Sequence, residues 1–128
     1  MRASSHGTDD FPEQPVSAGR PLIKDGNMNR AELLTYVENF AHLPRTTQLV
    51  REQGLRAFLL HLKASEEMPE HQTKGPITVQ CLQGSVLFGT AEEKIELETG
   101  SIISLPGNVP HSLVARRDSL MLVTLCDS

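Results

Sequence analysis

Two histidines, His71 and His111, are the residues of this chain whose type and spacing are best suited to chemistry. An imidazole can exchange a proton near neutral pH and can also ligate a transition metal. His71 opens a strand-like run that ends at Gly84, and His111 closes a second run that begins at Gly100. The pair predicts a pocket built by two separate strands. Two histidines that only bind backbone groups near the mouth of a barrel are the structural alternative.

Nucleophilic catalysis finds little support in the sequence. Ser112 directly follows His111, and adjacent strand residues point to opposite faces of a sheet. The chain has no Gly-x-Ser-x-Gly sequence of the kind that presents a catalytic serine. Cys81 lies in an apolar run, where burial raises the pKa of a thiol and makes it inert. Glu70 precedes His71 in a polar loop and could act as a general acid or base only if that loop folds over the pocket.

The composition excludes several classes of partner. The 128 residues carry a formal net charge of −4, and the adjacent basic pair at residues 116–117 is followed at once by Asp118. Nucleic acids and anionic membranes require clustered Lys and Arg, so we expect neither as a partner. The N-terminal residues contain no apolar segment typical of a signal peptide, and no run approaches membrane-spanning length. We therefore expect a cytoplasmic protein.

The chain divides by composition into three parts. Residues 1–26 are rich in Ser, Gly, Pro and acidic residues and have no apolar periodicity, which predicts a disordered leader. Met28 follows directly, and the sequence does not decide whether translation starts there or at Met1. Residues 27–44 are expected to hold one helix, and residues 45–128 a β-barrel.

The predicted helix covers residues 30–41. Asn29 can cap its N terminus, and Glu32 stands three residues later, as in a capping box. Pro44 ends the element. The apolar residues at helical spacing form a stripe that we expect to pack against the domain or a second subunit; they are Leu33, Leu34, Val37, Phe40 and Ala41.

Short strands separated by Gly- and Pro-containing turns fill the rest of the chain. Such strands, spaced by about ten residues, are typical of an all-β sandwich or barrel. Two cysteines in the strand-like runs, Cys81 and Cys126, are predicted to be buried and reduced rather than bridged. The predicted strands are residues 46–50, 55–62, 77–82, 85–88, 94–97, 101–105, 111–114 and 120–125.

The order of residues in the two histidine-containing runs resembles the two motifs of the cupin superfamily. The first cupin motif has Gly, His-x-His, Glu and Gly, and the matching positions here are Ser65, His71, Thr73, Ile77 and Gly84. The second motif has Gly, Pro-x-Gly, His and Asn, and the matching positions here are Gly100, Pro106, Asn108, His111 and Ala115. The resemblance extends over most of residues 46–125 and is specific for the fold rather than for chemistry.

The resemblance implies a double-stranded β-helix, or jelly-roll, barrel with one N-terminal helix, which assembles as a homodimer. It also implies a divalent transition metal (Fe, Mn, Ni, Zn or Cu) bound by three His and one Glu. His71 and His111 supply two of these ligands, whereas Thr73 and Ile77 replace the other two. Residues that could supply a missing ligand are His61, Glu70 and Gln80.

Strand alternation predicts the pocket wall. If Ile77 faces the barrel interior, Val79 and Cys81 face it too, and the pocket is partly apolar. Three hypotheses follow. The chain binds a small organic ligand between the two histidines and this wall, with at most a weakly held metal. Alternatively, it is a metal-dependent enzyme resembling a dioxygenase or isomerase, or it is a structural or stress-related dimer without pocket chemistry.

Overall fold

The structure is a computed structural model that describes residues 23–26 and 28–126. Strands dominate these residues, together with one short α-helix and one turn of 3-10 helix at Phe40–His42. The elements are β1 (Ile23–Asp25), β2 (Met28–Arg30), α1 (Leu33–Glu38), β3 (Thr46–Glu52), β4 (Leu55–Leu62), β5 (Glu67–His71), β6 (Ile77–Gln83), β7 (Ser85–Gly89), β8 (Lys94–Glu98), β9 (Ile102–Leu105), β10 (His111–Ala115) and β11 (Ser119–Cys126).

Two antiparallel sheets form the barrel. The five-stranded sheet has the order β3-β4-β11-β6-β9, and the four-stranded sheet has the order β5-β10-β7-β8. Non-consecutive strands are neighbours in both sheets, so the chain crosses repeatedly from one sheet to the other, as in a jelly roll. The predicted all-β jelly-roll fold with a helix before the barrel is confirmed.

Alternation along the strands creates the main core between the sheets. In β6 the residues Ile77, Val79 and Cys81 are buried, while those between them are only half-buried. The neighbouring strand β11 repeats the pattern with Met121 and Val123. These side chains belong to one apolar cluster between the two sheets, as the parity of β6 predicted.

A second apolar cluster covers the outer face of the five-stranded sheet. Tyr36 of α1 is buried in this cluster, and Leu33, Val37 and Phe40 pack against it. The predicted apolar stripe therefore packs against the domain. The exceptions are Leu34, with 75% of its surface exposed, and Ala41, which is also exposed.

The boundaries of the predicted helix are wrong. The helix α1 begins at Leu33 rather than at residue 30, and it ends at Glu38. Asn29 does not cap it, because Asn29 lies in β2 and pairs with Lys24 of β1. Glu32 occupies the N-cap position, with no side-chain hydrogen bond to the helix. Arg30, where the helix was predicted to begin, instead belongs to a β-hairpin that turns at Gly26, whose φ is +65°.

Residues 23–25 and Cys126 depart from the sequence-based predictions. The leader predicted for residues 1–26 lies mostly outside the described residues, but residues 23–25 form β1. Cys81 is buried and reduced as expected, whereas Cys126 is reduced but exposed. Cys126 is the last residue of β11, so its side chain falls on the face opposite that of Leu125. No helix within the described ranges is long and apolar enough to cross a membrane.

Strand β5 was not predicted from the sequence. Its residues, Glu-Met-Pro-Glu-His, are mostly exposed, and only Met68 packs against the main core. The strand lies at the edge of the four-stranded sheet, where polar side chains and a proline are tolerated. Glu70 therefore belongs to a strand and not to a loop.

Candidate functional site

The two histidines predicted to share a pocket face each other across the β5–β10 pair. His111 is the register partner of His71, and the centroids of the two rings are 4.4 Å apart. His111 also stacks on Phe88, with 5.5 Å between centroids and 12° between the ring planes. The pairing shifts register between His111 and Leu113, and Pro69 lies within the irregular stretch of β5. Such bulges re-aim side chains, which here brings two rings together at a sheet edge.

Each histidine is held by the same type of hydrogen bond. Nδ1 of His71 donates to the carbonyl oxygen of Pro69 at 2.9 Å, and Nδ1 of His111 donates to that of Val109 at 2.9 Å. A carbonyl can only accept, so Nδ1 is the donor in both bonds, and a ring in its neutral form then keeps its lone pair on Nε2. These are the backbone contacts expected of structural histidines, but they satisfy only one nitrogen of each ring. Nε2 of each ring is therefore an acceptor.

Burial keeps His111 neutral at pH 7. The ring is 3% exposed, and loss of hydration lowers its pKa below the usual 6.5. The hydrogen bond to Val109 opposes this shift in pKa, and the neighbouring His71 adds to it. His71 itself is exposed. The pair thus combines a buried neutral imidazole with a second imidazole open to solvent.

Two loops that lead to the histidines pack directly on each other. The backbone N–H of Asn108 donates to the carbonyl of Thr73 at 2.7 Å. A Cβ added at Gly107 would overlap the carbonyl oxygen of Lys74, so only a glycine permits this approach. Asn108, at a cupin glycine position, has a φ of +64°, a left-handed conformation that asparagine tolerates. The loops therefore hold the two motifs in a fixed relation.

A cavity of about 520 Å³ opens beside the histidines. Ile77 and Val79 line it, as strand parity predicted, and His71 and His111 stand at its wall. Further apolar side chains come from both sheets and include Phe58, Leu60, Leu113, Val123 and Leu125. The cavity is of the size and character of small-molecule sites in proteins, which typically have volumes of about 300–1,000 Å³.

Cys81, the third residue of the predicted wall, does not line the cavity. It lies two positions beyond Val79 on β6 and pairs with Met121 in the closed part of the barrel, where it is fully buried. Burial also raises the pKa of its thiol, with a smaller rise from Glu98. Strand alternation predicted the correct face of β6, but it does not indicate how far along the strand the cavity extends. The thiol is therefore buried away from the cavity.

The residues considered as third metal ligands do not complete the site. His61 is on the wrong face of its strand, because its Nδ1 bonds to the carbonyl of Leu43 at 3.0 Å and its ring contacts Phe40 beneath the helical segment. Gln80 alternates with Val79 and pairs with Leu122 on the outer side of the sheet. Glu70 does lie in the cavity lining, although its side chain is exposed.

The residues present do not fit a tightly bound transition metal. Thr73 donates its hydroxyl to the carbonyl of Gly75 at 2.9 Å, and the Ile77 side chain offers no donor atom. Within residues 23–26 and 28–126, no group of three or more His, Cys, Asp and Glu side chains could hold a metal ion. Two imidazoles alone leave most of the coordination sphere to solvent. No chemical step through a metal follows from this site.

Sequence reasoning missed two arginines, Arg45 and Arg56, that also line the cavity. Arg56 shares parity with Phe58 and Leu60 on β4, but this strand is apolar at both parities, so alternation alone does not tell which face points inward. Arg45 precedes β3, and its Nη2 donates to the carbonyl of Glu67 at 2.9 Å. No pattern in the sequence indicates this contact.

Comparison with solved structures confirms the cupin fold. A cupin superfamily protein from Desulfitobacterium hafniense is 18% identical, with a TM-score of 0.63 over 65% of this chain and 76% of that protein. A protein with a cupin-2 domain from Shewanella frigidimarina is 12% identical, with a TM-score of 0.61 over 72% of this chain and 92% of its own. A salicylate 1,2-dioxygenase from Pseudaminobacter salicylatoxidans is 25% identical, with a TM-score of 0.55 over 57% of this chain and 21% of the enzyme.

No model of a known protein family and no curated protein matches the sequence. The chain has the fold of the cupin superfamily. Because the identities are low, the likeness establishes the architecture and leaves the chemistry to the residues of the site.

Proposed function

We propose that this chain is a small-molecule-binding protein whose ligand occupies the barrel cavity without a bound transition metal. The observation that carries the proposal is the cavity of about 520 Å³ with the His71–His111 pair at its wall. Its apolar lining supplies the free energy of binding, because an apolar ligand leaves water on entering it. The few polar groups then orient the ligand.

The histidines act as hydrogen-bond acceptors in this proposal. Since Nδ1 of each ring is held by a backbone carbonyl, Nε2 of His71 or His111 can accept a hydrogen bond from an O–H or N–H group of the ligand. The neutral state of His111 at pH 7 keeps this lone pair available. A ligand with an apolar body and at least one donor group fits such a site.

Methyl-resolved NMR of the whole chain tests the proposal. The probes are small alcohols and primary amides with aliphatic or phenyl bodies, added to protein treated with EDTA. Binding in the cavity shifts the methyl signals of Ile77, Val79, Val123 and Leu125, which line it. The methyl signals of Leu49, which lies in the outer cluster, stay in place. Shifts in both clusters, or in neither, for every probe would contradict the proposal.

A metal-dependent enzyme is the second hypothesis from the sequence, and no observation at this site favours it. The similarity to salicylate 1,2-dioxygenase is limited to the fold. The side chains of Thr73 and Ile77, at two metal-ligand positions of the cupin motif, do not fit a transition metal. Metal analysis of protein purified without added metal gives a direct check. About one tightly held metal ion per chain would overturn the metal-free proposal.

We also propose that the chain forms a homodimer, as the cupin resemblance implies. Sedimentation equilibrium should give twice the chain mass of 14.1 kDa. A single species with the mass of one chain over the whole concentration range would contradict this proposal.

A further inference from the structure

We infer that the ligand of the cavity carries its hydrogen-bond donor at one end of an apolar body, because Phe88 closes the barrel interior directly behind His111. The inference rests on the proposed binding function and narrows the class of ligand. Phe88 does not line the histidine cavity, but its ring stacks on that of His111, which does. Phe88 therefore determines specificity from behind the wall of the site.

A second cavity, of about 210 Å³, lies between the two sheets beside the edge strands β8 and β9. These strands each end a sheet and are not paired with each other, so the two sheets are not hydrogen-bonded together there. The lining of this cavity is largely apolar, as that of the first is. Its apolar side chains are Phe88, Ile95, Ile103 and Leu105.

The two cavities are one strand apart in both sheets. In the four-stranded sheet, Leu113 of β10 lines the first cavity, and its register partner Phe88 of β7 lines the second. In the five-stranded sheet, Ile77 of β6 lines the first cavity, and its partner Leu105 of β9 lines the second. Neighbouring strands are only about 4.8 Å apart. A single layer of side chains therefore separates the two cavities.

The rings of Phe88 and His111 form this layer beside the histidine pair. His111 lines the first cavity, Phe88 lines the second, and 5.5 Å separates the ring centroids. Each residue is 3% exposed, and rings packed at this density leave no room for ligand atoms between them. A ligand group that donates to Nε2 of His111 has Phe88 behind its acceptor. The rest of the ligand therefore extends the other way, along Ile77 and Val79.

This arrangement distinguishes two shapes of ligand that an apolar lining alone would bind equally well. A molecule with a terminal donor group places its whole apolar body in the first cavity. A molecule with a central donor group has two apolar arms, and the second arm requires the space that Phe88 closes. That arm therefore stays in water, and each CH₂ group left in water weakens binding by about fourfold.

Isothermal titration calorimetry with two isomeric alcohols tests the inference. The hydroxyl group of 1-heptanol is terminal, whereas that of 4-heptanol lies between two propyl arms. We expect wild type to bind 1-heptanol at least about tenfold more tightly, because one arm of 4-heptanol stays outside the cavity. A smaller preference, or the opposite one, would overturn the inference and leave the proposed function standing. Binding of neither alcohol would contradict the proposed function itself.

Substitutions in one row of the four-stranded sheet locate the effect. Phe88→Ala removes the ring and joins the two cavities, so the preference for 1-heptanol should fall to about threefold or less. Phe88→Leu keeps an apolar side chain in the core and should give an intermediate preference; it decides the question alone if Phe88→Ala does not fold. The matched control is Ile95→Ala, because Ile95 pairs with Phe88 on the side away from β10 and lines the second cavity.

The control should keep the preference of wild type, because it widens the second cavity and leaves the stacked rings in place. An unchanged preference in the folded Phe88 variants, or an equal loss of preference in Ile95→Ala, would overturn the role of Phe88. Circular dichroism establishes which variants are folded.

Methyl-resolved NMR shows where the second arm of 4-heptanol lies. In the folded Phe88 variants, 4-heptanol should shift the methyl signals of Val79, which lines the first cavity, and of Ile95, which lines the second. In wild type only the signals of Val79 should shift. A shift of Ile95 in wild type would mean that an arm reaches the second cavity with the ring of Phe88 present, and it would overturn the inference.

Discussion

Substitution of Gly107 by alanine is the most direct test of how the two histidine motifs are held together. An added Cβ would overlap the carbonyl oxygen of Lys74 and lie 2.9 Å from its carbonyl carbon. Carbon atoms pack best at about 3.5–4.0 Å, so the turn must move by roughly 1 Å. The obstacle is backbone rather than a flexible side chain, so the movement separates the turn from the loop that follows His71.

The expected cost can be worked out from these contacts. Overpacking of this kind costs about 1–3 kcal/mol. Loss of the 2.7 Å hydrogen bond from Asn108 to Thr73 adds about 1 kcal/mol. The smaller entropy of the unfolded alanine chain returns about 0.4–1 kcal/mol. A net loss of about 1–4 kcal/mol should lower the unfolding temperature by roughly 5–20 °C for a domain of this size.

Gly89→Ala is the matched control for this measurement. Gly89 also has an ordinary φ, but a Cβ there would meet Lys94 Cγ at 3.4 Å, which is a normal contact. We expect Gly89→Ala to melt within a few degrees of wild type by differential scanning calorimetry. Gly107→Ala should also bind the NMR probes about fivefold more weakly, because the alignment of His71 with His111 is lost. Equal melting temperatures for the two variants would refute the reasoning.

Three further predictions follow from the site and the cysteines. The free energy of unfolding should fall as the pH drops below about 6.5, because the unfolded chain then protonates His111 before the folded chain does. In urea titrations, the free energy of unfolding of His111→Gln should depend less steeply on pH than that of wild type. A thiol reagent should label Cys126 in the native protein and Cys81 only after denaturation, since the first is exposed and the second is buried; rapid labelling of both would contradict this packing. A Thr73→His, Ile77→Glu double variant should be less stable than wild type, because Ile77 is only 3% exposed and the new carboxylate would be buried. A divalent metal at a hundredfold excess over its dissociation constant should restore about 2.7 kcal/mol to the variant. Calorimetry of wild type should show no such gain.

The features that sequence reasoning predicted correctly depend on local periodicity. Alternation along β6 placed Ile77, Val79 and Cys81 on one face, and the structure has all three in the core between the sheets. Turn residues separated most of the strands at their observed positions. The spacing of the two motifs also indicated that His71 and His111 would meet, and their rings are 4.4 Å apart. Each of these inferences needs only the geometry of single strands and the order of the motifs.

The features that it missed depend on neighbours distant in sequence. Residues 28–30 pair with β1 instead of starting the helix, and this pairing prevents Asn29 from capping it. The β5 residues look like a polar loop because a strand at a sheet edge buries little. His61 could not be assigned to a face until its bond to Leu43 was seen, because strand parity does not carry across a loop.

The sequence by itself determined a β-barrel with two histidines in one pocket and two metal-ligand positions lost at Thr73 and Ile77. Tertiary structure alone decided which nitrogen of each histidine bonds to a backbone carbonyl, the depth at which the cavity ends before Cys81, and the presence of Arg45 in the lining of the same cavity. The physical reason is that alternation fixes which way a side chain points along one strand. The closure of two sheets over each other fixes which side chains share a volume, and binding chemistry depends on that volume.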